Sequence, residues 1–286
     1  MIKKDVIDWN EIWKEQTLLQ NQSQHGIDCA SIWKNKESAQ LFLKMFEEDG
    51  ASLIEKAINE LPLTPDSRIL DIGSGPGTLA IPLSKIVTHV TAVEPSEGML
   101  NVLNERIATD EIGNIDCVNK RWEDIEAGED IESSYDIVIA SYSLGMPNIR
   151  EAIRKMEEVS SKYVCLYWFA GDASWDINYK ALWPLLHGTE YYPSPKCNVL
   201  YNVLYDMGIY PNMTVFPFEH IHRFSSEEDA VEHFKSYYKV SEENQVEILR
   251  NYLKDHLEID NNSVILRAMN TRVKLWWKKG DLNYGN

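Results

Sequence analysis

Residues 68–100 have the sequence RILDIGSGPGTLAIPLSKIVTHVTAVEPSEGML, and this stretch decides the fold. Its first part, residues 69–72, is an apolar run broken only by Asp71, which is typical of a buried parallel strand. The next five residues, Gly73-Ser74-Gly75-Pro76-Gly77, predict a tight turn. Because glycine has no Cβ, such a turn lets the backbone approach a ligand closely.

A helix and a second strand are predicted to follow this turn. The helix should cover residues 78–87, with Pro82 near its first turn, where a missing backbone N–H is tolerated. The second strand should cover residues 89–93 and end at Glu94. Strand, glycine turn, helix, strand and terminal acid together predict a nucleoside-binding half of a doubly wound sheet.

The spacing of the glycines distinguishes two classes of nucleoside-binding protein. Dinucleotide-binding proteins carry G-x-G-x-x-G, whereas this turn has G-x-G-x-G with Asp71 two residues before the first glycine. This pattern resembles the class I S-adenosylmethionine-dependent methyltransferases. The resemblance implies that the turn passes under the methionine part of S-adenosylmethionine and that Glu94 accepts hydrogen bonds from both ribose hydroxyls. It covers residues 62–169 well and the rest of the chain loosely.

The resemblance also implies an overall architecture. We expect an α/β fold: a doubly wound, mostly parallel, seven-stranded sheet with a helical N-terminal cap and an aromatic lid insertion. The cap should cover residues 1–61 and the methyltransferase domain residues 62–286. The lid should lie within residues 172–211, and residues 172–196, rich in tryptophan and tyrosine, are predicted to form a long loop.

One part of the expected cofactor site departs from the family pattern. Many relatives carry an acid directly after the third strand, where this chain has Arg121 followed by Trp122. Trp122 is predicted either to wall the adenine or only to plug the sheet edge, and Glu123 or Asp124 to meet the adenine amino group. The expected cofactor-binding residues are Asp71, Gly73, Ser74, Gly75, Gly77, Glu94, Pro95, Ser96, Met99, Arg121, Trp122, Glu123, Ser141 and Tyr142.

No general base can be identified unambiguously from the sequence. The fourth strand should end at Ser141-Tyr142, where ligands of open α/β sheets bind. Tyr142, His187, Tyr191 and His220 are candidate catalytic residues, although a structural role is the stronger interpretation for each. His220 and His222 have the spacing of metal ligands on one strand face, but without a third ligand we expect no metal.

Composition and charge limit the partners. The net charge of −17 opposes a nucleic-acid substrate, because binding phosphates requires a basic surface. No apolar run approaches the ~20 residues needed to cross a bilayer. Four widely spaced cysteines and an N-terminus without an apolar core predict a cytoplasmic protein with reduced thiols. The oligomeric state is left open.

These observations predict methyl transfer from S-adenosylmethionine to a small-molecule acceptor by in-line displacement. Two alternatives remain at this stage: methylation of a protein side chain, and a non-catalytic S-adenosylmethionine-binding subunit or sensor. An open pocket beside the methyl-transfer segment favours an enzyme, and a blocked one favours a sensor. The acidity of the chain favours a cationic or neutral substrate over a polyanion.

Overall fold

The computed structural model describes residues 7–23, 31, 33–49, 51–260 and 263–280. Its centre is a sheet in the order β3-β2-β1-β4-β5-β8-β6, in which the first five strands are parallel and β8 and β6 are antiparallel to their neighbours. A short β7 pairs with the outer end of β8. The strands are β1 (Arg68–Ile72), β2 (His89–Val93), β3 (Ile115–Val118), β4 (Tyr135–Ser141), β5 (Ser160–Phe169), β6 (Asn212–Phe224), β7 (Glu258–Asp260) and β8 (Ser263–Lys278).

The predicted fold class is confirmed, with β7 as a short strand beyond the expected seven. Ten α-helices longer than one turn lie in the described part of the chain. They are α1 (Trp9–Ser23), α2 (Lys36–Asp49), α3 (Ala51–Asn59), α4 (Ala80–Ser84), α5 (Glu97–Thr109), α6 (Ile149–Val159), α7 (Ser174–His187), α8 (Cys197–Asp206), α9 (Glu227–Tyr237) and α10 (Glu243–Lys254).

The helix after the glycine turn is shorter than predicted. It was expected over residues 78–87, but α4 covers only Ala80–Ser84. The chain between Ser74 and Gly77 is still closing the turn, since the Gly77 N–H donates to the Ser74 carbonyl at 3.1 Å. A regular helix therefore begins only once this turn is complete.

Three groups of helices bury the apolar side chains. On one face of the sheet, α1, α6 and α8 cover a core built on β4, β5 and β8. On the other face, α3, α4 and α5 cover β1, β2 and the opposite side of β4. A third core joins α7, α9 and α10 to the long antiparallel pair of strands β6 and β8, which extends beyond the rest of the sheet.

The N-terminal helices lie on both faces of the sheet. Trp13 of α1 is 0% exposed, and its indole N–H donates to the Met146 carbonyl at 2.9 Å. On the other face, Ala39 of α2 packs on Met99 and Val102 of α5. Because α1 is continuous with the main core, the proposed boundary at residue 61 does not separate two independent cores.

The expectation that residues 172–196 form a loop is wrong, because α7 occupies most of the segment. Leu182 and Leu186 of this helix are buried in the third core, and Trp183 is 1% exposed. Apolar positions three and four residues apart are a helical pattern that the density of aromatic residues concealed. Only residues 188–196 connect α7 to α8 without regular structure.

None of the helices in the described ranges is both long and apolar enough to span a bilayer.

Candidate cofactor and acceptor site

The glycine turn closes over the carboxyl ends of β1 and β2. The N–H groups of Gly73 and Ser74 both donate to the Val93 carbonyl, at 2.7 and 3.1 Å. A Cβ at Gly73, where φ is +68°, would overlap the Cβ of Ser143. At Gly75, where φ is +57°, a Cβ would meet no atom within 4 Å. The turn is therefore closed on the side of Gly73 and open above Gly75, where a ligand has room to approach the backbone.

Glu94, at the end of β2, ties the turn to the sheet. One carboxylate oxygen accepts the Gly75 N–H and the other accepts the Ser96 N–H, each at 2.8 Å. Burial raises the pKa of Glu94, while these two hydrogen bonds act in the opposite direction. Each carboxylate oxygen has further lone pairs, so both remain able to accept a hydroxyl from a ligand.

Asp71, beneath the turn, is 1% exposed, and neither of its carboxylate oxygens has a hydrogen-bond partner among the described residues. Desolvation, with a smaller contribution from the charge of Glu94, raises the pKa of Asp71 to about 7. Buried polar atoms without partners are rare in native proteins and often mark a site completed by a ligand.

The charges and hydrogen-bond acceptors of Asp71 and Glu94 indicate which kind of cofactor the turn can bind. Two buried carboxyl groups provide acceptors for cationic and hydroxyl donors and would repel a pyrophosphate. S-adenosylmethionine offers a ribose diol, an ammonium and a sulfonium, and carries no phosphate. The residues of this turn therefore fit S-adenosylmethionine.

The raised pKa of Asp71 predicts a pH-dependent stability. Between its ordinary pKa of 3.8 and about 7, the folded chain keeps a proton that the unfolded chain has lost. Since the folded state binds more protons in this window, the free energy of unfolding should fall as pH rises from about 4 to 7, by up to ~4 kcal/mol.

Urea denaturation of the ligand-free chain at pH 5, 6, 7 and 8 measures this effect, with Asp71→Asn as the variant that cannot ionise. The stability of Asp71→Asn relative to wild type should increase with pH through this window. Two curves that stay parallel would contradict the assignment of the raised pKa to Asp71.

Of the two roles predicted for Trp122, an adenine wall or a packing residue at the sheet edge, the structure favours the second. Trp122 is 2% exposed, and its indole N–H donates to the Ala152 carbonyl of α6 at 3.0 Å. No face of this ring is left for a purine, so Trp122 plugs the sheet edge. Arg121 and Glu123 flank it on the surface. Sequence position alone could not distinguish these roles, because an adenine wall and a core plug both require a flat apolar ring.

The first turn of α5 is covered by the chain before α2. The Ser96 hydroxyl donates to the Trp33 carbonyl at 2.6 Å, and Met99 packs against Ala39 of α2. A Cβ at Gly98 would overlap the backbone of residues 33–35. Among the expected cofactor-binding residues, Pro95, Ser96 and Met99 thus lie beside Glu94 under the N-terminal segment.

Ser141 and Tyr142, at the end of β4, border a cleft of about 450 Å³ that includes space open to solvent. Tyr142 has a φ of +56°, which is unusual for a residue with a bulky side chain, and its N–H donates to the Tyr167 carbonyl at 3.0 Å. The cleft is lined by residues from α3, β5, β6 and β8, and by Thr78 after the glycine turn. The cleft therefore lies between the chain that directly follows the glycine turn and the end of β4.

The other three catalytic candidates lie away from the cleft. His187 and Tyr191 lie at and after the end of α7, and His220 lies in β6. Tyr191 is buried, and its hydroxyl donates to Asp176 at 2.9 Å. The His187 ring contacts the Tyr238 carbonyl at 2.8 Å. His220 packs on His222 at 4.2 Å between ring centres. None of these three lines the cleft, and Tyr142 does.

Sequence reasoning missed two further polar residues of the cleft, Tyr167 and Arg272. Arg272 belongs to an alternating set in β8, Asn270, Arg272 and Lys274, in which all three are buried. The available signal was this regular spacing of polar side chains in a strand. These side chains are buried because α3 and Glu60, just after it, lie over this side of the sheet.

Residues 69–162 match the family model described as "Methyltransferase domain". A ribosomal RNA small subunit methyltransferase A of Thermotoga petrophila is 30% identical over 102 residues, 35% of this chain and 37% of that protein. A demethylmenaquinone methyltransferase of Clavibacter sepedonicus is 34% identical over 92 residues, 32% of this chain and 35% of that protein. An uncharacterised protein of Haemophilus influenzae is 30% identical over 112 residues, 39% of this chain and 41% of that protein.

These matched segments span less than half the length of each of the three relatives. Among solved structures, a protein of Bacillus halodurans C-125 superimposes with a TM-score of 0.56 at 16% identity. That comparison covers 80% of this chain and 99% of the other. The structural likeness extends beyond the matched sequence segments and concerns the fold.

Proposed function

We propose that this chain is a class I S-adenosylmethionine-dependent methyltransferase that transfers a methyl group to a small-molecule acceptor, on the basis of the match of residues 69–162 to a methyltransferase domain. When bound, S-adenosylmethionine supplies an electrophilic methyl group on a sulfonium. The observation that carries the proposal is the cleft between Thr78, directly after the glycine turn, and Tyr142 at the end of β4. It supports an enzyme over a sensor, which would need no acceptor space beside this segment.

We assign the cofactor-binding role to the glycine turn and its two acids. Glu94 would accept the ribose hydroxyls while keeping its hydrogen bonds to the backbone of Gly75 and Ser96. Asp71 would lose its proton when a cationic ligand group approaches, because opposite charge favours the ionised carboxyl. The Gly75 backbone leaves the space that the methionine part requires.

The chain's contribution to the transfer is to align the acceptor and to exclude water. Positioning of this kind can supply ~7–11 kcal/mol of a barrier. The positive φ of Tyr142 supports a role at this point, since strained backbone concentrates at functional sites. Ser143 fixes the strained segment, because its hydroxyl donates to the Ile72 carbonyl at 2.5 Å.

The cleft favours an acceptor that needs no strong base. Burial raises the pKa of Tyr142, although the charge of Arg272 partly offsets this effect. Burial also raises the pKa of Tyr167. Both phenols are therefore neutral near pH 7, and neither serves as a strong base. The fitting acceptor presents a lone pair, or an atom that is already ionised, to the methyl group.

Two observations support a small molecule over a macromolecule. The cleft is a concave site between α3 and the strands β4, β5, β6 and β8, and small-ligand sites are usually concave. The net charge of −17 works against binding a ribosomal RNA, the substrate named for one relative. Methylation of a protein side chain is the second candidate, because a single side chain can also enter a concave site.

We also propose a division of the chain into a cap, residues 1–61, and a catalytic domain, residues 62–286, with an insertion over residues 172–211. In this division the cap covers the cofactor through its segment next to Ser96. A cytosolic location is consistent with the three described cysteines, Cys117, Cys165 and Cys197, which are all free. Cys29 lies outside the described residues.

Calorimetric titration tests the cofactor assignment. S-adenosylhomocysteine should bind with a micromolar or lower dissociation constant, and NADH should not bind at the same concentrations. Incubation with methyl-labelled cofactor and a size-fractionated cell extract then identifies the acceptor, with label expected in the small-molecule fraction. Binding of NADH without binding of S-adenosylhomocysteine would refute the proposal, and label confined to protein would select the second candidate.

A further inference from the structure

Arg272 is a buried cation that lacks an anionic partner. It is 7% exposed, and no acidic side chain in the described part of the chain forms an ion pair with it. Its Nε–H donates to the Asn270 side-chain oxygen at 2.8 Å, while Nη1 is buried without a hydrogen-bond partner. A desolvated charge with an unsatisfied donor is costly to maintain.

The guanidinium is held in place by aromatic rings. Its central carbon lies 3.7 Å from the ring centre of Phe218 and 4.6 Å from that of Tyr142. Tyr142 is the strained residue at the end of β4, so the cation lies where acceptor chemistry is proposed. Cation–π contacts stabilise the charge and fix the plane of the guanidinium. The guanidinium also donates a hydrogen bond to the Tyr142 hydroxyl, and Nη1 has no acceptor among the described residues.

The neighbouring cation on the same face of β8 has protein partners. Lys274 is also buried, but its ammonium donates to the Glu60 carbonyl at 3.0 Å and lies 3.4 Å from the Glu60 carboxylate. The fold thus provides an anion for one buried cation and leaves the next without one. On the cleft wall, the buried hydroxyl of Tyr167 also has no hydrogen-bond partner among the described residues.

We infer that the methyl acceptor carries a carboxylate, which Arg272 binds in the cleft beside Tyr142; this inference rests on the proposed function. A planar guanidinium donates to a carboxylate in a matching fork geometry. One arginine fits a single negative charge. Tyr142, Tyr167 and Phe216 provide apolar and aromatic walls for the rest of the molecule.

This inference departs from the expectation, based on net charge, of a cationic or neutral substrate. Surface charges act through water and are screened over about 8 Å at physiological ionic strength. A buried guanidinium acts at close range in a medium of lower dielectric constant. The local charge therefore decides which substrate binds, while the net charge of −17 affects mainly the rate of approach.

Fluorine NMR with fluorinated probes tests this inference on the full chain, with and without saturating S-adenosylhomocysteine. The probes are 4-fluorobenzoate, 4-fluorophenylacetate and 4-fluorocinnamate, each with its amide and its corresponding amine. At least one carboxylate should bind more tightly than its amide and its amine by tenfold or more. Arg272→Gln should remove this preference and leave the affinity for S-adenosylhomocysteine within about twofold of wild type.

Two further variants make the result specific. Arg267→Gln removes an exposed arginine of the same strand, paired with Glu219 and Glu258, and should keep the carboxylate preference. Arg272→Lys keeps the positive charge but removes the two parallel N–H donors of the guanidinium. It should retain only part of the carboxylate preference. Three results would overturn the inference. The cleft could bind amines more tightly than carboxylates, no carboxylate could bind more tightly than its amide, or Arg272→Gln could keep the preference for carboxylates. Failure of S-adenosylhomocysteine to bind would instead refute the proposed function, because the probes are also measured without it.

Discussion

Replacement of Trp13 by alanine is expected to lower the free energy of unfolding by about 3–5 kcal/mol. The side chain is 0% exposed and packs 5.9 Å from the ring centre of Trp168 in β5. Its indole also satisfies the Met146 carbonyl, which lies just before α6. The variant would leave both a cavity and a buried carbonyl without a donor, and both effects destabilise the folded state.

Urea denaturation followed by circular dichroism measures this loss, with Trp175→Ala as the matched control. Trp175 is 37% exposed on α7, so its replacement should cost less than about 1.5 kcal/mol. The transition of Trp13→Ala should remain a single cooperative step, because α1 shares the main core. Equal losses in the two variants, or separate unfolding of an N-terminal unit, would contradict this view of the N-terminal helix.

Replacement of Glu94 by alanine is expected to weaken binding of S-adenosylhomocysteine by at least about a hundredfold. The variant removes both carboxylate oxygens that we assign to the ribose hydroxyls. Each hydrogen bond to a charged acceptor contributes ~1.5–3 kcal/mol, and 1.4 kcal/mol corresponds to a tenfold change in affinity. Loss of the acceptors of the Gly75 and Ser96 N–H groups would further loosen the turn.

Calorimetric titration measures the affinity, and the far-ultraviolet circular dichroism spectrum checks that the variant is folded. Glu97→Ala is the control, because Glu97 is an exposed acid three residues further along the chain, in the first turn of α5. It should bind as wild type does. If folded Glu94→Ala bound S-adenosylhomocysteine as tightly as wild type, the ribose would have to lie elsewhere.

The lid prediction illustrates where sequence reasoning was incomplete. The sequence shows a cluster of aromatic residues after β5. Whether they bind a ligand or pack in a core depends on residues distant in the sequence, such as those of α9 and α10. Tyr191 donates to Asp176, and Asp176 also pairs with Lys196 at 2.7 Å in a buried ion pair. These contacts anchor the end of the segment to α7. Two of the rings, Trp183 and Tyr191, are thereby occupied in packing.

The sequence by itself determined β1, β2, the glycine turn between them and the position of Glu94, because each of these features has a local signal in the sequence. Apolar runs specify buried parallel strands, glycines specify positive φ, and an acid at a strand end lies at the ligand-binding edge. Only the tertiary structure decided which polar side chains are buried without partners. Asp71 and Arg272 are ordinary charged residues in the sequence. Their chemical character arises from desolvation, which depends on the helices and strands that fold over them.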